Sequence, residues 1–164
     1  MKNRIFGLLL LVLVGITAGC EQRKWEHSLE SPMQVGKGVV DALNRADTNS
    51  LNRLRVNREE YLSWIWPAFP QSRPPSNFPG DFAWTNLNKN SVLGINRGMK
   101  RYGNQGLLFE DIRFNRPTEE YEGFKLLSGT VLVAKNRKGE QVELYILGSV
   151  IENDGRYKLL SYKD

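Results

Sequence analysis

The sequence predicts an α+β domain: N-terminal helices followed by an antiparallel meander of about four strands. Three observations carry this. Apolar residues recur at helical spacing between Met33 and Ile65, with capping residues ahead of each run. The same period returns from Trp84 to Tyr102. After Gly103 the period becomes that of strands, punctuated by Gly-containing turns.

Ser31-Pro32-Met33-Gln34 predicts a helix start, with Ser31 as cap, Pro32 in the first turn and Gln34 completing a capping box. Met33, Val35, Val39, Val40, Leu43 and Ala46 then form one apolar face, to about Asp47. A shorter helix is expected over 48–54, with Leu51 and Leu54 inward. Asn57-Arg58-Glu59-Glu60 repeats the cap spacing and opens a third helix through Tyr61, Leu62 and Ile65, stopped by Pro67. Pro67, Pro70, Pro74, Pro75 and Pro79 crowd into 67–80, which predicts a long irregular loop. From Asp81, the residues Trp84, Leu87, Val92, Ile95, Met99 and Tyr102 suit one face of a helix ending at Gly103. Asn86, Asn88 and Asn90 weaken its first half.

Strands are expected over 107–114, 123–136, 141–152 and 156–162. Arg137-Lys138-Gly139 and Asn153-Asp154-Gly155 supply hairpin turns too short for crossovers. The pairing should therefore be antiparallel and in sequence order, 123–136 with 141–152 and 141–152 with 156–162. In 141–152, Val142, Leu144, Ile146, Gly148 and Val150 share one face, with Tyr145, Leu147 and Ile151 on the other.

The first twenty residues have a different character. Lys2 and Arg4 precede an unbroken apolar run over 5–16. As a helix that run reaches about 18 Å, short of the roughly 30 Å hydrocarbon core of a bilayer. Charge, then an apolar run, then small residues is the order of a cleaved secretory signal. Its end, Thr17-Ala18-Gly19-Cys20, resembles a bacterial lipobox, departing from it at Thr17, where leucine is usual. The resemblance implies a diacylglyceryl thioether on Cys20, cleavage before it and acylation of the new amino terminus. Several acyl chains on one residue give lasting anchorage. Cys20 is the single cysteine, so the mature chain has no internal disulfide. The division is thus a signal peptide over 1–19, a lipidated tether over 20–31 and one domain over 32–164 containing the Pro-rich loop 67–80. Fully extended, 21–31 would reach about 35–40 Å. The expected location is the cell membrane or outer membrane, with the domain outside the cytoplasm, in the periplasm or at the cell surface. Glu21, rather than Asp, after the cysteine favours the outer membrane by the same resemblance.

Of 164 residues, removing 1–19 leaves 145, enough for one ordinary core. Lys2 and Arg4 leave too, so 23 basic residues become 21 against 18 acidic ones, and the formal charge falls from +5 to +3. Basic residues are interspersed with acids, which argues against a nucleic-acid partner.

Helices packed in a curled sheet, closed by Asp154-Gly155-Arg156-Tyr157-Lys158 and a short strand, resemble the nuclear-transport-factor-like (cystatin-like) superfamily. The resemblance spans 32–162 in order of elements and only the last dozen residues in sequence. It departs at 67–80, where that fold places an early hairpin. It implies a curved, cone-like, mostly antiparallel four-stranded sheet around a pocket, an architecture that hosts both enzymes and inert binders.

Among side chains that carry chemistry, His27 is the one histidine and falls in the tether, so no His-based catalytic pair or metal site is expected in the domain. Glu110-Asp111 and Glu119-Glu120-Glu122 lack the spacing of a calcium loop. Ser63, Ser128 and Ser149 have no base partner, and Gly103-Asn104-Gln105-Gly106 is no dinucleotide fingerprint. No metal or cofactor is expected. Tyr102, Asp111, Tyr145 and Tyr157 are the available acid/base groups, and Arg97 with Arg101 is a possible anion pair read first as a solvated face. The strongest signal is aromatic: Tyr61, Trp64, Trp66, Phe69 and Phe78, which with Tyr102 are the candidate ligand- or partner-binding residues, serving either as packing or as a docking rim. The reading is a non-catalytic binding module tethered through Cys20, its partner an envelope protein, a cell-wall component or a small ligand. The alternatives are a pocket enzyme using Tyr or Asp, and a structural envelope spacer.

Overall fold

The computed structural model describes residues 25–163. The signal segment, Cys20 and the start of the tether lie outside the described residues. Helix α1 (Pro32–Asn44) begins at Ser31, whose hydroxyl accepts from the Gln34 N–H at 3.2 Å. The return bond is displaced by one residue: Gln34 accepts from the Glu30 N–H, not from Ser31. Val35, Val39, Val40 and Leu43 are fully buried, whereas Met33 points outward. The helix stops at Asn44, earlier than its apolar spacing suggests, because Ala46 turns to φ 54° and frees Asp47 to cap α2 (Thr48–Arg53).

The third helix is short and changes pitch. Asn57 and Glu60 form the reciprocal capping box at the start of α3 (Arg58–Glu60). The backbone then widens to a π turn over Tyr61–Ile65 and tightens to a 3-10 turn over Trp66–Ala68. Pro67 does not end the helical path, because it sits early in that 3-10 turn, where its missing N–H costs nothing. A second 3-10 turn, Pro70–Ser72, lies inside the stretch read as an irregular loop. Helix α4 (Gly80–Tyr102) runs unbroken through its asparagines. Its buried face is Ser91, Gly94, Ile95, Gly98 and Tyr102, and Val92 is exposed.

Seven strands follow: β1 (Leu108–Phe114), β2 (Glu119–Tyr121), β3 (Phe124–Leu127), β4 (Thr130–Lys135), β5 (Gln141–Leu144), β6 (Val150–Asn153) and β7 (Arg156–Leu159). They form two antiparallel sheets, β1-β4-β5 and β2-β3-β6-β7, where the periodicity predicts one sheet of about four. The pairing between segments runs in sequence order: 123–136 pairs with 141–152, and 141–152 with 156–162. Each long run is interrupted at its middle. Gly129, at φ 70°, separates β3 from β4, and opposite it the Gly148 carbonyl accepts from Thr130 Oγ1 at 2.9 Å. This interruption also breaks the alternation predicted for 141–152, so that Ile146 and Leu147 are both buried and Tyr145 is exposed. Asp154 and Gly155, both at positive φ, give the β6–β7 hairpin its tight turn.

Two apolar clusters hold the layers together. The first joins α1 and the end of α4 to Leu132, Leu144, Leu147 and Leu159. The second gathers Trp25, Val56, Tyr61, Ile65, Phe124, Leu126, Ile151 and Leu160. Trp25 is a correction to the tether. It is buried in the second cluster, and Leu29 exchanges backbone hydrogen bonds with Tyr157 at 2.9 and 2.7 Å, so residues 25–29 pack on the domain. Among the described residues, no helix is long and apolar enough to cross a membrane.

Candidate functional site

The link between α2 and α3 is pinned to β7: the Val56 N–H donates to the Leu159 carbonyl at 2.8 Å and the Leu159 N–H to the Leu54 carbonyl at 3.0 Å. That pairing buries Val56 and turns the Arg55 side chain to the opposite side, towards α4. The guanidinium lies 5.8 Å from the Trp84 ring centre, while Nε donates to Asn52 Oδ1 at 3.2 Å and Nη2 donates to Asn88 Oδ1. Asn88, a weak helix former, thus has a partner that only the tertiary fold supplies. Burial pulls the Arg55 guanidinium below its ordinary value, although arginine remains charged throughout the neutral range.

Arg55 and Val56 line an open cleft of about 360 Å³. Glu26 and His27 of the N-terminal segment border it, as do Asn52 and Arg53 of α2 and Asn57 and Arg58 around the α3 start. Trp84 and Lys158 complete the lining. His27, at φ 52°, also borders an adjoining cleft of about 440 Å³ that contains Arg45, Ser50 and Arg53. Lys158 is tied down: its Nζ contacts both Glu60 carboxylate oxygens at 2.7 Å, and those oxygens also accept from the Glu26 and Asn57 N–H groups. Arg58 pairs with Asp81 on the surface.

The aromatic candidates form a chain of ring contacts behind this cleft. Tyr61 is buried and meets Trp84 at 5.5 Å and Trp66 at 6.0 Å. Burial, with no charged partner to oppose it, pushes the Tyr61 hydroxyl up to about 12. Trp66 touches Phe69 and Phe78, and Phe69 packs edge-on against Tyr121 and Phe124 at 4.9 and 5.8 Å. Trp64, Trp66 and Phe69 are half-buried against the second cluster. Phe78, 40% exposed, meets Phe82, which is 56% exposed. Tyr102 stands apart in the first cluster, with the Arg101 guanidinium 5.2 Å from its ring centre.

The acid/base candidates sit on separate elements. Asp111 of β1 accepts from the Ile112 N–H at 2.8 Å and pairs with Arg113. Tyr145 is exposed and donates to Glu143, which pushes its hydroxyl up. Tyr157 is half-buried on β7. No hydrogen bond joins Tyr102, Asp111, Tyr145 and Tyr157 to one another among the described residues. Also among them, no group of three or more His, Cys, Asp and Glu is placed to hold a metal.

Sequence reading missed the cleft residues themselves. The signal was present in Arg53-Leu54-Arg55-Val56-Asn57-Arg58, where arginine recurs between apolar and amide residues. The alternation suits a short pairing segment with apolar residues on one side and cations on the other. Compared with protein-family models, with curated proteins and with solved structures, the chain gives no match.

Proposed function

We propose that this chain is a lipid-anchored cell-envelope protein whose α+β domain is a binding module. The anchor rests on Lys2, Arg4, the apolar run 5–16 and Thr17-Ala18-Gly19-Cys20. The binding role rests on one observation above the others. Four stretches far apart in sequence converge on a single open cleft, in which Arg55 is held between two asparagines and over Trp84. On this reading the two sheets are halves of one curled, cone-like meander that holds the helices, and the cleft opens beside the N-terminal segment rather than inside the cone. Trp25 leaves only residues 21–24 between it and Cys20, so the domain sits close against its membrane. The exposed Phe78–Phe82 pair supplies a second contact surface on the far side of the aromatic cluster.

A photo-crosslinking residue placed at Arg58, exposed on the cleft wall and taking no part in holding Arg55, tests the module in cells. Leu108, 65% exposed on β1, is the control. Occupancy of the cleft predicts an adduct of defined added mass from position 58 and none from position 108. Equal labelling from both positions, or none from either, contradicts a binding role for the cleft.

A further inference from the structure

The cleft is unevenly charged. Arg53, Arg55, Arg58 and Lys158 line it against one carboxylate, Glu26. Two of these cations are already matched, Lys158 by Glu60 and Arg58 by Asp81. Arg53 and Arg55 instead donate to neutral acceptors, namely Ser50 Oγ, Asn52 Oδ1 and Asn88 Oδ1. Asp47 feels the Arg53 and Arg45 charges, and the Ser50 hydroxyl and N–H keep its carboxylate ionised, so it offsets one of the three arginines and leaves an excess of positive charge. The side formed by Arg53 and Arg55 therefore carries net positive charge, and it continues into the adjoining cleft through Arg45.

Arg55 is also held ready. Trp84 and two amides hold its guanidinium at the cleft wall, within a small shift of a ligand there. Its Nη1 is buried and has no hydrogen-bond acceptor. A charged donor in that state is destabilising, and an oxyanion oxygen reaching it after a small side-chain shift would satisfy it.

We propose that the cleft binds a phosphate group, with Arg55 and Arg53 as the principal donors and His27 at the rim. This deepens the binding-module reading and rests on it. Glu26 borders the cleft and follows Cys20 by six residues, a reach of at most about 22 Å. A lipid on Cys20 would hold the cleft beside phospholipid headgroups, which makes a headgroup phosphodiester one source of the ligand. A soluble phosphate monoester is the other.

The test is calorimetric titration of the full chain in uncharged detergent. Inorganic phosphate, glycerol 3-phosphate and glycerophosphoglycerol, the last a soluble headgroup diester, serve as probes. At least one should bind saturably, with affinity reduced tenfold or more by Arg53→Gln and by Arg55→Gln and unchanged by Arg113→Gln on β1. Arg53 is exposed on α2, so its variant decides the matter even if Arg55→Gln fails to fold. Preference for the diester assigns a lipid headgroup, and preference for glycerol 3-phosphate a soluble ester. No saturable binding of any probe overturns the proposal, as does binding that survives Arg53→Gln or falls equally with Arg113→Gln. An adduct at position 58 alongside failed phosphate binding would reject the phosphate ligand and leave the module reading standing.

Discussion

Lys158 Nζ lies 2.7 Å from both carboxylate oxygens of Glu60, and both side chains are almost completely buried, at 2% and 4% exposed. The carboxylate also closes the capping box of α3 and accepts the Glu26 N–H at 3.0 Å. One buried anion therefore joins the N-terminal segment, a helix start and the last strand, and it anchors Lys158, which lines the cleft. Removing the cation alone strands that charge. Lys158→Met should cost about 3–5 kcal/mol in denaturant unfolding. The double variant Glu60→Gln, Lys158→Met should recover much of that loss, since glutamine still offers one acceptor and no charge remains buried. If the double variant is as unstable as the single, the pair is not the source of the effect.

Two glycines on one helix should respond in opposite directions to the same substitution. A Cβ on Gly94 would stand 2.2 Å from the Lys163 carbonyl oxygen, a backbone atom that cannot move aside cheaply. At Gly98 the nearest atom is Ile146 Cγ2 at 3.6 Å, an ordinary contact. Helix propensity favours alanine at both positions, by up to about 1 kcal/mol. Gly98→Ala should therefore raise the thermal midpoint slightly, while Gly94→Ala should lower it despite the better propensity. A gain at both positions would mean that the C-terminal segment does not lie against α4.

The helical parts were legible in the sequence because their signals are local. Ser31, Asp47 and Asn57 cap the helices they precede, and the Asp154-Gly155 turn states its own geometry. Helix α4 survives Asn86, Asn88 and Asn90 because burial of Ile95 and Tyr102 and the Arg55–Asn88 contact outweigh weak propensity. The division into two sheets was hidden, since a run of Val, Leu and Ile reads the same whether or not Gly129 interrupts it. Trp25 looked like part of a tether because its apolar partners, Val56 and Tyr61 among them, lie thirty or more residues away. The cleft was hidden for the same reason, as Arg55 meets Trp84 and Asn88 only when α4 folds back.

The aromatic chain should separate into packing and surface. Trp66 contacts Tyr61, Phe69 and Phe78, so Trp66→Ala should cost about 2–3 kcal/mol, somewhat below a fully buried tryptophan. Phe82, more than half exposed, should cost no more than about 1 kcal/mol on truncation. Thermal or denaturant melts of the two variants check this. An unchanged midpoint for Trp66→Ala would place that ring in a docking surface instead.

Tyr61 should also report on alkaline stability. Burial raises its folded value to about 12 from an ordinary value of 10, so the folded state holds the proton more tightly than the unfolded chain. Its contribution is complete below about pH 10 and is lost as the pH climbs towards 12. Tyrosinate absorbance should therefore show Tyr61 ionising later than exposed tyrosine. Tyr61→Phe should flatten the loss of stability across that window. Ionisation of Tyr61 near pH 10 in the folded protein would contradict its burial.

The most direct measurement is the mass of the N-terminal tryptic peptide from membranes of cells expressing the chain. Cleavage before Cys20 and after Arg23 yields Cys20-Glu21-Gln22-Arg23. A lipid-anchored protein gives this peptide carrying a diacylglyceryl group and an N-acyl chain, and Cys20→Ser abolishes both the modification and the cleavage. An unmodified Cys20, or a mature chain that still carries residues 1–19, would contradict the anchor and with it the account of a domain held against its membrane.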